Sequence, residues 1–219
     1  MTDEIVEDAT RAAKRHGKAI ERADIAVGHA AAEHKEHGVV RALGALSEVA
    51  DQPPLIALSL ATAATGLARG DRRLARTGLR MLAAHAVATG VKALVKSRID
   101  RSRPGMFMHH HAHRITGGDT NEGPMNSFPS GHTAGALAVS RAVAREYPRA
   151  AWPGYAATAA VGIIQPLRGT HFPIDVAAGV VVGLASEWVV ARILPDADDA
   201  TPRHAPPPIR IVEAPEPAA

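Results

Sequence analysis

The chain has 219 residues, enough for one domain with a substantial core, and its 25 basic and 22 acidic side chains leave a net charge of +3. Apolar residues make up 46% but aromatic residues only 3%, which favours packed helices over a β-sandwich and excludes a wholly disordered chain. The lack of cysteine excludes a disulfide scaffold, a Cys-ligated zinc site and thiol catalysis. Most basic residues are arginine, whose guanidinium group suits phosphate in nucleic acid, lipid headgroups or small substrates.

The two ends of the chain differ from its middle. Residues 1–51 are polar and charged, with no cleavable signal peptide, a solvated or surface-lying helix over Thr2–Arg22 and a short second helix over Val39–Ala50. Residues 195–219 are rich in Pro, Ala and Asp, which is typical of a disordered tail. The remaining residues, 52–194, form the predicted domain.

Five apolar stretches lie in this domain, and none alternates in the way a half-buried strand would. Each is long enough for a helix, so the sequence predicts an all-α bundle, either soluble or embedded in a membrane. A membrane span needs about 20 mostly apolar residues. Gln52–Ala68 and Ala150–Leu167 carry no charge and come close to that length. The five stretches are Leu55–Ala68, Gly78–Val95, Thr133–Ala144, Gly154–Leu167 and Val176–Leu194.

The charges between the helices predict an orientation for an embedded bundle. If the helices alternate in direction, the arginines of 69–76 fall on the same side as Arg145 and Arg149, and the positive-inside rule makes that side cytoplasmic. The loops 96–129 and 168–175 then face the other compartment. The same count puts the charged N-terminus outside, unless the second short helix crosses or dips into the membrane.

Three polar clusters lie in these two loops and at the helix ends beside them. The first, Lys96–Pro104, is a basic run which alone indicates a solvated flank or a lipid-headgroup contact. The second, Asn126–Thr133, contains Pro-Ser-Gly-His and leads into a helix, whose free backbone N–H groups can hold an anion. The third, Arg168–Gly179, has His171 and Asp175 four residues apart, a spacing that brings imidazole and carboxylate together on a helical turn.

Together the three clusters resemble the type 2 phosphatidic acid phosphatase (PAP2) superfamily, which also includes bacterial acid phosphatases and vanadium haloperoxidases. The family pattern is Lys-x6-Arg-Pro, then Pro-Ser-Gly-His, then Ser-Arg-x5-His-x3-Asp. The resemblance spans the whole predicted domain and implies a PAP2-like helical bundle, all-α and embedded in a membrane. The matching residues are Lys96 with Arg103-Pro104, then residues 129–132, then His171 with Asp175.

The resemblance implies a role for each matching residue. His171 matches the nucleophile, and Asp175 would fix its tautomer and support positive charge on the ring. His132 would protonate the leaving alkoxide and then activate water. No metal or other cofactor is required, because cationic side chains stabilise the phosphoryl group. The residues expected to bind phosphate are Lys96, Arg103, Ser130, Gly131 and Arg168.

The third element departs from the family pattern. Ile164 and Gln165 occupy its Ser-Arg positions, so the family's phosphate-binding arginine is missing from its usual place. Arg168 lies one turn further on and shares a face with residue 165 if the helix continues. We expect the side chain of Arg168 to reach back into the pocket and substitute for the missing arginine; otherwise the site is weakened or redirected.

The sequence thus predicts a phosphatase that hydrolyses a lipid phosphate or diphosphate through a phosphohistidine, without a nucleic-acid partner. It would be a multi-pass protein of the cell membrane with its active site on the non-cytoplasmic face, and its oligomeric state is left open. The alternatives are a soluble acid phosphatase acting on small esters, a vanadate-dependent haloperoxidase, and a non-enzymatic anion-binding membrane protein. The tract His109–His113 could bind zinc, but an exposed polar insertion is expected.

Overall fold

The structure, a computed structural model, describes residues 2–106, 113–118, 120 and 122–194, with side chains from residue 14 onward. The predicted disordered tail and the first three histidines of the 109–113 tract lie outside the described residues. The α-helices are α1 (Thr2–Ala32), α2 (Gly38–Ser47), α3 (Gln52–Ala68), α4 (Arg72–Lys96), α5 (Gly131–Glu146), α6 (Ala151–Leu167) and α7 (Pro173–Ile193). The strands are β1 (Ile99–Arg101) and β2 (Ile115–Gly117), and 3-10 turns cover Glu48–Ala50, Pro104–Met106, Gly123–Met125 and Pro148–Ala150.

Helices α3 to α7 coincide with the five apolar stretches, which confirms the predicted all-α bundle. Each helix begins two to six residues before its apolar run, because the first turn takes in residues that precede the run, such as the prolines at the start of α3 and α7. Asp71 caps α4 by accepting a hydrogen bond from the N–H of Leu74 at 2.9 Å, and Ser130 caps α5. The antiparallel pair β1–β2 was not predicted, since strands of three residues are too short to show an alternating pattern.

Small residues allow the bundle helices to approach closely. A Cβ on Gly66 would overlap the backbone of Ala75, so α3 and α4 are nearly in backbone contact. On α7, a Cβ at Gly179 would lie 2.6 Å from the carbonyl oxygen of Ser130, and one at Gly183 would meet the next turn of α5. Such small-residue contacts are typical of helices packed within a membrane.

The bundle has an apolar exterior and a partly polar interior. Helices α4 and α7 are long and apolar enough to cross a membrane. Buried polar residues such as Arg80 and Glu187 lie inside, where ion pairs compensate their charges. This distribution is expected of a bundle surrounded by lipid. The exposed large apolar residues on α3, α4, α6 and α7 include Leu58, Leu60, Leu67, Leu79, Leu94, Ile163, Val181, Leu184, Trp188 and Ile193.

The N-terminal helix α1 is longer than predicted, and one side of its second half packs on the bundle while the other side stays exposed. Asp24 is buried, and its carboxylate pairs with Arg101 and accepts a hydrogen bond from the N–H of Ile174 at 2.8 Å. Gly28 lies directly against the ring of Phe172. The end of the predicted helix at Arg22 is therefore wrong, because α1 docks on the bundle through residues beyond that point.

Candidate active site

The three predicted clusters meet around one cavity of about 270 Å³. It lies where α4 and α6 end and where α5 and α7 begin, so the four helices present their loop-side ends to the same space. Six of the predicted site residues, Gly131 among them, line it. The other four lining residues were not singled out for the site by the sequence analysis. The lining residues are Glu48, Asp51, Lys92, Lys96, Arg103, Gly131, His132, Arg168, Thr170 and His171.

Lys96 and Arg103 supply positive charge to the cavity from either side of a short turn. The ammonium group of Lys96, the last residue of α4, donates to the carbonyl oxygen of Asn126 at 2.7 Å. The Nε atom of Arg103 is buried and has no hydrogen-bond partner among the described residues. Burial, followed by the charge of Arg168, lowers the pKa of Arg103. A buried guanidinium donor without a protein partner is suited to an anionic ligand.

A backbone contact fixes the first cluster against the third. The N–H of Gly105 donates to the carbonyl oxygen of Gly169 at 2.8 Å. Gly169 has a φ of 69°, a left-handed conformation that glycine adopts without strain. A Cβ at Gly105 would lie 2.9 Å from that oxygen, so a residue larger than glycine would not fit at position 105. This contact joins the segment that follows Arg103 to the turn that follows Arg168, and both arginines line the cavity.

Arg168 turns back from the C-cap of α6 into the cavity wall. Its Nη1 donates to the hydroxyl of Ser47 at 2.9 Å, and its Nη2 forms an ion pair of 2.6 Å with Glu48. Gln165 is fully buried beside it; its amide nitrogen lies 3.4 Å from the same Ser47 hydroxyl, and its amide oxygen accepts from Thr170. The guanidinium group therefore lines the cavity from position 168, whereas Gln165 lies behind the wall.

His171 is buried and its ring has a defined orientation. Its Nδ1 lies 2.6 Å from the carbonyl oxygen of Ser127. Because a carbonyl oxygen only accepts, Nδ1 carries the proton and Nε2 keeps its lone pair. Burial, together with the charges of Arg103 and Lys96, lowers the pKa of His171 well below its usual value. The ring is therefore neutral near pH 7, as a nucleophilic imidazole must be.

Asp175 does not fix the His171 tautomer, and this part of the expected arrangement is wrong. Its Oδ2 lies 3.9 Å from Nδ1 of His171, beyond hydrogen-bonding distance. The carboxylate is instead paired with Arg101 and accepts a hydrogen bond from the N–H of Phe172 at 2.7 Å. Since these partners occupy both oxygens, the carbonyl of Ser127 takes over the orienting role.

Arg101 joins the N-terminal helix to the residues behind the cavity. Its guanidinium group pairs with both Asp24 and Asp175 and stacks on the ring of Phe172 at 4.3 Å. Its Nε also donates to Nε2 of His113 at 3.3 Å. The one described histidine of the 109–113 tract thus faces α1. Arg101 lies within the predicted basic run, but no sequence signal links that run to Asp24.

The Pro-Ser-Gly-His cluster forms the start of α5. The hydroxyl oxygen of Ser130 accepts from the N–H of Thr133 at 3.4 Å, and its backbone N–H donates to the carbonyl of Asp175 at 2.9 Å. Ser130 is fully buried as the helix cap, so its role as a phosphate donor stays a prediction. Gly131 lines the cavity, where a Cβ would lie 2.9 Å from the side chain of Lys92.

His132 lines the cavity beside two acidic residues that sequence reasoning missed. Its Nε2 is 3.6 Å from Oε2 of Glu48. Burial lowers the pKa of His132, and the carboxylates of Glu48 and Asp51 oppose that change. One side-chain atom from each of Glu48, Asp51 and His132 lies within 4.8 Å of the others. Because Glu48 is already paired with Arg168, we assign these three residues as an ion-pair network.

Comparisons with known proteins identify the family of the chain. The sequence profile described as PAP2 superfamily matches residues 77–199. The bacitracin transport permease protein BcrC of Bacillus licheniformis is 36% identical over 65 residues, which are 30% of this chain and about a third (32%) of that protein.

A solved structure shares the fold of this chain. A transmembrane PAP2 type phosphatidylglycerolphosphate phosphatase from Bacillus subtilis superposes with a TM-score of 0.61 at 20% identity, covering 88% of this chain and 92% of that one. Aquifex aeolicus LpxE gives a TM-score of 0.44 at 18% identity, over 72% and 98% of the two chains. Because the superfamily profile covers more than half of the sequence and the motif residues converge on one cavity, the chain belongs to the PAP2 superfamily.

Proposed function

We propose that this protein is a metal-independent phosphatase that hydrolyses a lipid phosphate or diphosphate through a phosphohistidine intermediate. One observation carries the proposal: a neutral His171, with the lone pair of Nε2 free, lines a cavity together with Lys96, Arg103 and Arg168. A neutral imidazole can attack phosphorus, and three fixed cations stabilise the charge that develops on the phosphoryl oxygens.

The reaction runs in two displacement steps. Nε2 of His171 attacks phosphorus, the bond from phosphorus to the leaving alkoxide breaks, and His132 gives its proton to that oxygen. His132, now neutral, takes a proton from a water molecule, whose oxygen attacks phosphorus. The bond between phosphorus and His171 then breaks, phosphate leaves, and His132 is again protonated. Asp175 supports this cycle from behind, since its charge lies 3.9 Å from the ring that becomes cationic.

Arg168 acts here as the phosphate ligand that the family carries at the position of Gln165. The support for this role is its place in the cavity wall beside Arg103 and the burial of Gln165 outside that wall. Two partners, the hydroxyl of Ser47 and the carboxylate of Glu48, hold the guanidinium group in a defined position. A side chain that is already held in place loses less conformational entropy when phosphate binds.

A lipid is the proposed substrate because the cavity opens at one end of an apolar bundle. Apolar side chains cover the outside of α3, α4, α6 and α7, and α4 and α7 are long enough to span a membrane. We further propose that the protein is multi-pass and that the cavity faces the non-cytoplasmic side. The arginine-rich opposite end, where Arg76 and Arg145 lie, would then be cytoplasmic.

Phosphate release by detergent-purified protein tests the proposal. The panel contains phosphatidate, phosphatidylglycerophosphate, a prenyl diphosphate and a small water-soluble ester. His171→Ala should abolish release, whereas His34→Ala, which changes an exposed histidine away from the cavity, should not. Retained activity in His171→Ala would refute the nucleophile. A preference for the soluble ester would favour an acid phosphatase, and vanadate-dependent halide oxidation would favour a haloperoxidase.

A further inference from the structure

Glu48 touches two residues of the proposed site from a segment outside the superfamily match. It opens the 3-10 turn between α2 and α3, well before the matched residues 77–199. One carboxylate oxygen lies 2.6 Å from Nη2 of Arg168, and the other lies 3.6 Å from Nε2 of His132. A single carboxylate thus bridges the proposed phosphate ligand and the proposed general acid.

The fold does not depend on this carboxylate. The side chain of Glu48 is 48% exposed, and half-exposed ion pairs contribute little to stability. The buried contacts of the same segment come instead from Ser47, which is 4% exposed, and from Gly44, where a Cβ would lie 2.9 Å from the Arg168 side chain. A change in the charge of Glu48 can therefore be separated from loss of the segment's packing.

We propose that Glu48 is a positioning residue: its carboxylate holds the His132 ring in the cavity wall and favours the protonated imidazole that donates to the leaving group. This inference rests on the proposed function only for the proton donation. The pairing itself is a property of the unliganded protein. The other charged or titratable groups lining the same cavity are Asp51, Lys92, Lys96, Arg103, Arg168 and His171.

The expected effect follows from the distance. Removing a full negative charge 3.6 Å from Nε2 lowers the pH at which His132 titrates by at least about 0.8, since a water-like dielectric gives the smallest effect for this partly buried pair. Asp51, Arg168 and the lysines are the same in wild type and in the variant. They therefore affect the titration of His132 equally in both proteins. Glu48→Gln keeps the size and hydrogen-bonding capacity of the side chain and changes its charge alone.

Titration of His132 by NMR, in detergent with excess EDTA and histidine-labelled protein, tests the inference without requiring turnover. Relative to wild type, His132 of Glu48→Gln should titrate at least about 0.8 lower on the pH scale, and Glu48→Asp, which restores the charge, should recover part of that shift. Glu36→Gln, which removes an exposed glutamate away from the cavity, should titrate as wild type does. An unchanged midpoint in Glu48→Gln would overturn the inference.

Kinetics then separate this inference from the proposed function. In an active enzyme, the alkaline limb of kcat/KM should move to lower pH in Glu48→Gln by the NMR shift, with KM changing less than kcat. Higher kcat/KM together with tighter inhibition by inorganic phosphate would overturn the inference, because Glu48 would then be a competitor for the anion site. If wild type releases no phosphate while the NMR shift is present, the proposed function fails and the pairing of Glu48 with His132 stands.

Discussion

Replacing Arg168 with alanine should lower kcat/KM strongly if this residue has taken over from the missing family arginine. A charge-assisted contact contributes about 1.5–3 kcal/mol. Because the Arg168 side chain is 24% exposed and partly screened, the lower half of that range applies, about 1.5–2 kcal/mol or roughly 10- to 30-fold in rate. Arg41→Ala, which removes an exposed arginine from α2, is the matched control and should leave kcat/KM unchanged.

The reciprocal variant, Gln165→Arg, distinguishes substitution from loss of the contact. Gln165 is fully buried, and its amide shares the hydroxyl of Ser47 with Arg168. A second guanidinium at that point would be buried near the first, so Gln165→Arg should gain little or lose activity. In the double variant, the new arginine should partly restore what Arg168→Ala removes, because residues that share one phosphate are not additive.

The assay is initial-rate phosphate release in detergent micelles at several lipid concentrations, with thermal unfolding of each variant measured in parallel. Equal unfolding temperatures for Arg168→Ala and Arg41→Ala would show that any rate loss is local. A silent Arg168→Ala together with an activated Gln165→Arg would refute our reasoning. That pair of results would mean that the phosphate contact is absent in this chain and that the site is weakened or redirected.

Three further predictions concern the surroundings of the site. Arg101→Gln leaves Asp24 and Asp175 buried without their cation and should reduce the free energy of unfolding by about 3–5 kcal/mol, whereas Arg98→Gln, on an exposed residue, should not; chemical unfolding in detergent measures both. The pKa of His171 is depressed on folding, so its NMR titration should occur below pH 6.5. Its contribution should make the protein less stable as pH falls below that value. A midpoint at or above 6.5 would contradict the assignment. Turnover should survive excess chelator, and loss of activity that zinc restores would implicate the histidine tract.

The sequence predicted the bundle and the convergence of the motifs well, because both follow from local signals. Apolar runs of helical length predicted the helices, and the spacing of His171 and Asp175 placed the two residues near each other. Contacts between distant segments were missed. Neither the pairing of Asp24 with Arg101 nor the arrival of Glu48 at the cavity leaves a periodic or spaced pattern.

The partner of His171 was also beyond sequence reasoning, for a different reason. A backbone carbonyl such as that of Ser127 is present at every position, so residue identity carries no information about which one orients the ring. The expected partner, Asp175, has the right spacing but is drawn to Arg101, whose position depends on the turn after α4. Side-chain spacing alone therefore gives the residues of a site more reliably than it gives their pairing.

The anchoring of α1 by Asp24 has a consequence for how the protein is made. The carboxylate of Asp24 accepts from the N–H of Ile174, a residue synthesised 150 positions later. At about 5–20 residues per second, a ribosome needs roughly 8 to 30 s to cover that distance. During this interval the nascent N-terminal helix has no completed docking surface, since Arg101 comes midway and Asp175 comes last. The contacts of Asp24 with the backbone of Ile174 and, through Arg101, with Asp175 can therefore be completed only after the start of the final helix has been made.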